Sequence, residues 1–167
     1  SINCNICGYD GSGDPASAFG SLRGNTQRFL GQNFRLWKCP KCLSIHNIDP
    51  VDFADIYRDY ALGRRTLDVF ARGTMKNLLN RLVKAGLKKE HRILDYGCGN
   101  GVFLDFLRER GYHHVQGYDP FVANFSVLPE NSISNFDCIV ANDVIEHVAA
   151  PSDMVAECIR LCAAGGL

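Results

Sequence analysis

Between Asp52 and Leu87 the apolar residues Leu67, Phe70, Met75, Leu78, Leu79, Leu82 and Val83 recur at three- and four-residue spacings, with Arg72, Lys76, Asn80 and Lys84 on the other side. That period predicts an amphipathic helix packed on a sheet, and Gly86 is its natural stop. Tyr57 and Tyr60, just ahead of it, read as core rather than as the roof of a pocket. Beyond Leu87 the pattern shortens. Ile93 and Leu94 predict a strand, Phe103, Leu104 and Leu107 a helix ending near Gly111, and Val115–Asp119 a second strand. An apolar segment follows at 136–148, then a helix over Met154–Ala163 with Cys158 and Cys162 on its core side. Strands alternating with helices predict an α/β sheet. The first fifty residues follow neither period. Phe29, Phe34, Leu36 and Trp37 supply a small core between glycine-rich turns over residues 8–24, so a separate module is expected there. The predicted organisation is a module over 1–50, a helical linker over 51–87 and an α/β portion over 88–167.

The cysteines sharpen the reading of the first module. Of the eight, four form two tight pairs, Cys4-x-x-Cys7-Gly8 and Cys39-Pro40-Lys41-Cys42, and the rest (Cys98, Cys138, Cys158, Cys162) lie scattered in apolar or helical contexts. Scattered reduced cysteines act as small hydrophobes, which argues against a disulfide framework. A C-x2-C turn aims two thiolates at one point, and two such knuckles close a tetrahedral metal site. Cys4, Cys7, Cys39 and Cys42 are the expected ligands, with Gly8 relieving the backbone where it turns around the ion. The knuckles with Tyr9 and Trp37 resemble both rubredoxin and the zinc ribbons. The rubredoxin resemblance implies iron, but the acidic surface of that family is absent. Residues 1–50 hold five basic residues (Arg23, Arg28, Arg35, Lys38, Lys41) against three acidic ones (Asp10, Asp14, Asp49). Structural zinc is the expected occupant, filling all four positions and doing no chemistry of its own.

Composition excludes several classes. The 167 residues carry 18 Lys+Arg against 18 Asp+Glu, with 46% hydrophobic and 22% charged positions. Disorder and collagen-like repeats are ruled out. A neutral chain has no global field for capturing nucleic acid or an anionic membrane. No apolar run approaches the ~20 residues of a membrane span, and no leader pattern opens the chain, so a cytoplasmic address is expected. The chain begins at Ser1 without an initiator Met and stops at Gly165-Gly166-Leu167 within a pattern, so a longer parent protein is expected.

The most informative stretch is Ile93-Leu94-Asp95-Tyr96-Gly97-Cys98-Gly99-Asn100-Gly101, a strand running into a turn with glycine at every second position and then a helix. In doubly wound sheets a ligand meets such a turn at the carboxyl edge of the strands. A dinucleotide loop reads G-x-G-x-x-G, whereas here D-x-G-x-G-x-G brings the third glycine one residue early. No G-x-x-x-x-G-K-[ST] motif for nucleoside triphosphates occurs either. An acid opening the loop suits a ligand with a cationic amino group. The next strand ends in Asp119, 18 residues after Gly101, where a carboxylate can accept both hydroxyls of a ribose.

Here the chain resembles the class I S-adenosylmethionine-dependent methyltransferases. Asp95, Gly97, Gly99 and Gly101 match the first motif of that family, Asp119 its ribose-binding acid, and 136–148 its fourth-strand segment, which adds Asn142 to the implied cofactor-binding residues. Gly165-Gly166-Leu167 looks like the turn into a fifth strand, so that β-edge would be exposed and apolar in a chain ending there. The resemblance covers roughly residues 75–167, and the family includes members with a C-x-x-C-G … C-P-x-C ribbon. It implies an incomplete Rossmann-like methyltransferase sheet preceded by a zinc ribbon. With only 16 residues between Asp119 and Phe136, the second crossover helix and third strand are expected to be abbreviated or absent.

Methyl transfer from a sulfonium asks the protein to align the acceptor and to take its proton. The resemblance puts those tasks after the fourth strand, on Glu146 and His147 as catalytic residues. A competing reading makes Asp143, Glu146 and His147 ligands of a second divalent ion, by resemblance to the E-x-x-E-H segment of ubiquinone-pathway and small-RNA methyltransferases, with the shorter Asp in the first position. A third leaves His147 structural. His113 and His114 read as surface residues. The expected acceptor is a small or sugar-containing molecule. The alternatives are an RNA methyltransferase gripping nucleic acid through the ribbon, and a non-catalytic module binding the cofactor or a partner protein.

Overall fold

A computed structural model of the chain describes residues 2–13, 18–24, 29–50, 67–128 and 132–167. Tyr57 and Tyr60 lie outside the described residues. The chain divides into two compact units, Ser1–Asp52 with Ala149–Ser152, and Phe53–Val148 with Asp153–Leu167.

In the first unit three strands, β1 (Ala18–Arg23), β2 (Asn33–Lys38) and β3 (Ile45–Asn47), form an antiparallel sheet in the order β1-β2-β3. The register sets Trp37 of β2 opposite His46 of β3. The core is smaller than the sequence predicts. Trp37 is buried with Cys4 and Cys39, and Ile2, Cys7, Tyr9 and Ile48 pack around them. Phe29, Phe34 and Leu36 are half-buried, and the first two meet edge to face, with ring centroids 5.5 Å apart. A three-stranded sheet of this size has too little surface to cover all four, and the indole takes the one closed position.

Among the described residues of the second unit the first helix is α1 (Val69–Ala85). Asp68 caps it, its Oδ1 accepting the Ala71 N–H at 2.7 Å, and Gly86 ends it in the left-handed conformation at φ 112°. Leu79 is buried, while Met75, Leu78 and Leu82 pack beside it on the core. Phe70 and Val83, placed by periodicity on the same stripe, are exposed. At ~100° per residue Phe70 falls half a turn away from Leu79, and Val83 sits at the margin of the packed arc.

Three parallel strands follow in the order β5-β4-β6: β4 (Ile93–Tyr96), β5 (Val115–Tyr118) and β6 (Cys138–Val140). Ile93 pairs with both Val115 and Cys138, and Asp95 with both Gly117 and Val140, so the three carboxyl ends lie along one edge. Ile93 and Leu94 of the central strand are fully buried, as expected where both faces are covered. Between β4 and β5 runs α2 (Val102–Arg108), whose Phe103, Leu104, Phe106 and Leu107 fill the core. It stops three residues earlier than the sequence suggests, the chain turning at Gly111 with φ 83°.

Among the described residues between β5 and β6 there is a 3-10 turn at Ala123–Phe125 and no strand, consistent with a shortened crossover. The last helix, α3 (Pro151–Leu161), buries Met154 and Leu161. Cys158 and Cys162, predicted as core, are only half-buried at the margin of that face. His113 and His114 are exposed, as predicted. After the turn at Gly165, the Leu167 N–H donates to Asp137 O and its carbonyl accepts the Ile139 N–H, both at 3.0 Å. That pair of bonds is the pattern of a parallel strand beside β6. Among the described residues no helix is long and apolar enough to cross a membrane.

Candidate functional site

Three loops leave the carboxyl edge of the parallel sheet, and the first is the glycine turn. Gly97, Gly99 and Gly101 all have positive φ, at 79°, 54° and 76°. A side chain at each would be strained, which explains glycine at every second position. The Gly97 and Cys98 N–H groups both donate to Tyr118 O, at 2.7 and 3.1 Å, so the turn begins anchored to the end of β5.

Asp119, the first residue after β5, holds the middle of the turn. Its Oδ2 accepts the Gly99 N–H at 2.9 Å and its Oδ1 the Phe121 N–H at 3.0 Å. Each carboxylate oxygen keeps a further lone pair for a ligand. From the other side the loop after β6 presses Val144 against the turn, so that a Cβ on Gly97 would overlap the Val144 methyls. A Cβ on Gly101 would come within 2.9 Å of the Phe125 ring. The glycines therefore permit both the backbone path and the packing of neighbouring loops.

Asp95 lies beneath the turn. It is 5% exposed. Burial, with the neighbouring Asp119 charge adding to it, raises its pKa to about 7. A carboxyl buried below a glycine turn suits a ligand that brings a cation or a hydrogen-bond donor. The thiol of Cys98 is pushed up to about 12 by burial and by the Asp95 and Asp119 charges, so it is no nucleophile.

The remaining predicted residues follow β6. The Asn142 amide donates to Asp143 Oδ2 at 2.9 Å, and Asp143 adopts a left-handed φ of 56°. Glu146 and His147 lie on a 3-10 turn (Ile145–His147), exposed, with His147 Nε2 4.0 Å from Glu146 Oε1. Asp143, Glu146 and His147 do not converge on a common point. Among the described residues, the four cysteines are the group of three or more potential ligands whose donor atoms gather within 4.8 Å. The geometry thus lends nothing to a second divalent site.

The cysteine cluster itself is well formed. Cys4 and Cys42 Sγ are 3.6 Å apart, and Cys7 and Cys39 Sγ 3.7 Å. A tetrahedron with metal–sulfur bonds of about 2.3 Å has edges of about 3.8 Å. The two knuckles share one backbone design. In the first, the Gly8 N–H reaches Cys4 O at 2.9 Å and the Cys4 N–H reaches Tyr9 O at 2.8 Å. In the second, Leu43 to Cys39 O and Cys39 to Ser44 O repeat those bonds at 2.9 and 2.8 Å. Gly8 and Leu43 occupy the same left-handed position, at φ 71° and 64°. The thiol set and its spacing are compatible with zinc.

Sequence reasoning missed Gly117, Phe125 and Val144. A Cβ on Gly117 would stand 2.7 Å from both Cys98 Sγ and Leu104 Cδ1, and 3.1 Å from the Phe125 ring. An isolated glycine inside a strand pattern signals such close approach, so Gly117 was findable. Phe125 and Val144 left no signal, since their role depends on which loops become neighbours.

A family model of methyltransferase domains matches residues 67–167. Curated relatives include three proteins named ubiquinone biosynthesis O-methyltransferase. That of Paracidovorax citrulli is 27% identical over 96 residues, 45% of this chain and 40% of its own length. That of Maricaulis maris is 32% identical over 97 residues, 46% of this chain and 38% of the relative. That of Pseudomonas aeruginosa is 27% identical over 143 residues, 70% of this chain and 61% of the relative. The chain thus spans about two fifths of the length of the first of these. No solved structure matches the chain significantly.

Proposed function

The chain belongs to the methyltransferase-domain family, and on that premise we propose that it is an S-adenosylmethionine-dependent methyltransferase acting on an oxygen of a small-molecule acceptor. The observation that carries this reading is the glycine turn over the buried Asp95, tied through Gly99 to the Asp119 carboxylate. This donor set fits the cofactor's chemistry. Asp95 offers a buried carboxyl to a cationic ligand, Gly97, Gly99 and Gly101 present backbone without Cβ atoms, and Asp119 retains lone pairs for two ribose hydroxyls. Asn142 completes the cofactor-binding set from the loop after β6.

When bound, the cofactor supplies the electrophilic methyl group, and the protein's part is alignment and proton removal. Glu146 and His147 take that part. His147 accepts the proton of the acceptor hydroxyl, and Glu146, with Oε1 4.0 Å from the His147 Nε2, orients the ring. Oxygen is the preferred acceptor atom because the relatives are named as O-methyltransferases. A small acceptor is preferred over a polyanion because basic and acidic residues balance at 18 each. Cys4, Cys7, Cys39 and Cys42 hold structural zinc, which fills its coordination with thiolates and leaves no open position.

Calorimetric titration tests the cofactor assignment. S-adenosylmethionine should bind saturably at one site per chain, and NAD should not compete. Competition by NAD, or no binding of either, would remove the basis for the reading.

A further inference from the structure

Exposure differs sharply among the four thiols. Cys4 and Cys39 are buried, Cys7 is half-buried, and Cys42 is exposed. The exposed one has a close polar neighbour, Ser44 Oγ, at 2.9 Å. Ser44 Oγ in turn lies 2.7 Å from His46 Nε2. The same two groups reach Cys4 Sγ at longer range, Ser44 at 3.5 Å and His46 at 3.4 Å.

The sheet explains why these groups meet. Ser44 immediately precedes β3, and His46 stands opposite Trp37 in the β2–β3 register. The imidazole lies over the indole at 5.3 Å between centroids, 31° from parallel. Trp37 is completely buried, so the histidine ring rests on a rigid platform with Nε2 toward the sulfurs. Donor counting then fixes the direction of the chain. A metal-bound thiolate only accepts, and a serine hydroxyl has one proton to give. That proton goes to Cys42, the nearer sulfur, and Ser44 Oγ must then accept from His46 Nε2–H.

We propose that His46 and Ser44 form a hydrogen-bonded outer shell that shields the exposed Cys42 thiolate from electrophiles and so limits how fast the ribbon loses its metal. The inference rests on the four-cysteine metal reading. Neither residue touches the metal; both act through Cys42. An electrophile such as iodoacetamide forms a carbon–sulfur bond with the Cys42 lone pair and expels iodide, which ends that sulfur's thiolate bond to zinc. A hydrogen bond to the sulfur withdraws the density that this attack needs, and outer-shell partners of this kind tune metal-bound thiolates generally.

The experiment uses the zinc-loaded chain, with zinc content measured first and alkylation of each cysteine then followed by peptide mapping. Ser44→Ala should accelerate Cys42 alkylation and zinc release roughly three- to tenfold, the factor a single hydrogen bond carries. Ser44→Thr, which keeps the hydroxyl, should stay near the wild-type rate. His46→Phe, which keeps a ring over Trp37 but loses the donor, should fall between. An unchanged rate in Ser44→Ala at full zinc content overturns the shield. So does equal acceleration at all four cysteines with a lowered melting temperature, which would mean a merely structural serine. A chain without zinc defeats the metal reading itself, a failure visible before any rate is taken.

Discussion

The Asp119 carboxylate accepts the Gly99 N–H at 2.9 Å, which makes the end of β5 and the middle of the glycine turn one mechanical unit. Its second oxygen holds the Phe121 N–H, so one side chain orders two loops. Asp119→Ala should therefore act twice. Cofactor affinity should fall by about 1.5–3 kcal/mol, the range for hydrogen bonds to a charged group. Stability should fall by about 1 kcal/mol, because the two released N–H groups regain water. Titration and thermal melting separate the two effects. Unchanged affinity in a folded variant would contradict the assignment of Asp119.

Gly97 and Val144 are coupled by contact. Gly97→Ala forces a Cβ into the left-handed region, at roughly 1–2 kcal/mol, and also into the Val144 methyls, for a total of about 2–4 kcal/mol. Val144→Ala should recover the steric share and leave the backbone share. A double-mutant cycle in denaturant reads the coupling directly. Strictly additive effects would mean the two loops do not touch.

Asp95 predicts a pH dependence whose sign follows from its raised pKa, about 7 in the fold against 3.8 for the unperturbed group. Between about pH 4 and pH 7 the folded chain holds a proton that the unfolded chain has released. Stability from this group therefore declines as pH rises through that window and is level above it, with a total of several kcal/mol at most. Asp95→Asn, which is neutral at every pH, should match the wild type near pH 4 and exceed it at pH 8. Parallel stability curves for the two proteins would show that the carboxyl is already ionised in the fold.

Leu43 occupies in the second knuckle the left-handed position that Gly8 occupies in the first. The residue is 63% exposed, so little burial is lost on removing its side chain. Leu43→Gly removes strain of ~1–2 kcal/mol, offset by the ~0.5–1 kcal/mol that glycine's unfolded freedom costs. A net gain of about 0.5–1 kcal/mol in the zinc-loaded chain is expected from chemical denaturation. A loss instead would mean that Leu43 packs against something its exposure does not reveal.

The parts of this architecture legible in the sequence are those encoded by spacing. Two C-x2-C pairs announced the cysteine cluster, glycines at every second position announced the turn at β4, and Asp119 stood at the expected distance beyond it. What escaped was set by tertiary neighbours. No local pattern says that Phe125 and Val144 will close on the glycine turn, or that Trp37 rather than Phe34 or Leu36 takes the buried position of a small sheet. Phe70 matched the helical period loosely yet falls opposite the packed face. Ser44 and His46 lie close to Cys42 in the chain, but only the folded β2–β3 register sets His46 over Trp37 and so brings both groups to the sulfurs.

The most direct test of the account is native mass spectrometry of the chain, purified without chelators and then incubated with S-adenosylmethionine. One zinc and one cofactor per chain are expected, with the cofactor weakened in Asp119→Ala and the zinc unaffected. A folded chain that retains its zinc but takes up no cofactor at saturating concentration would contradict the assignment of the glycine turn as a cofactor site.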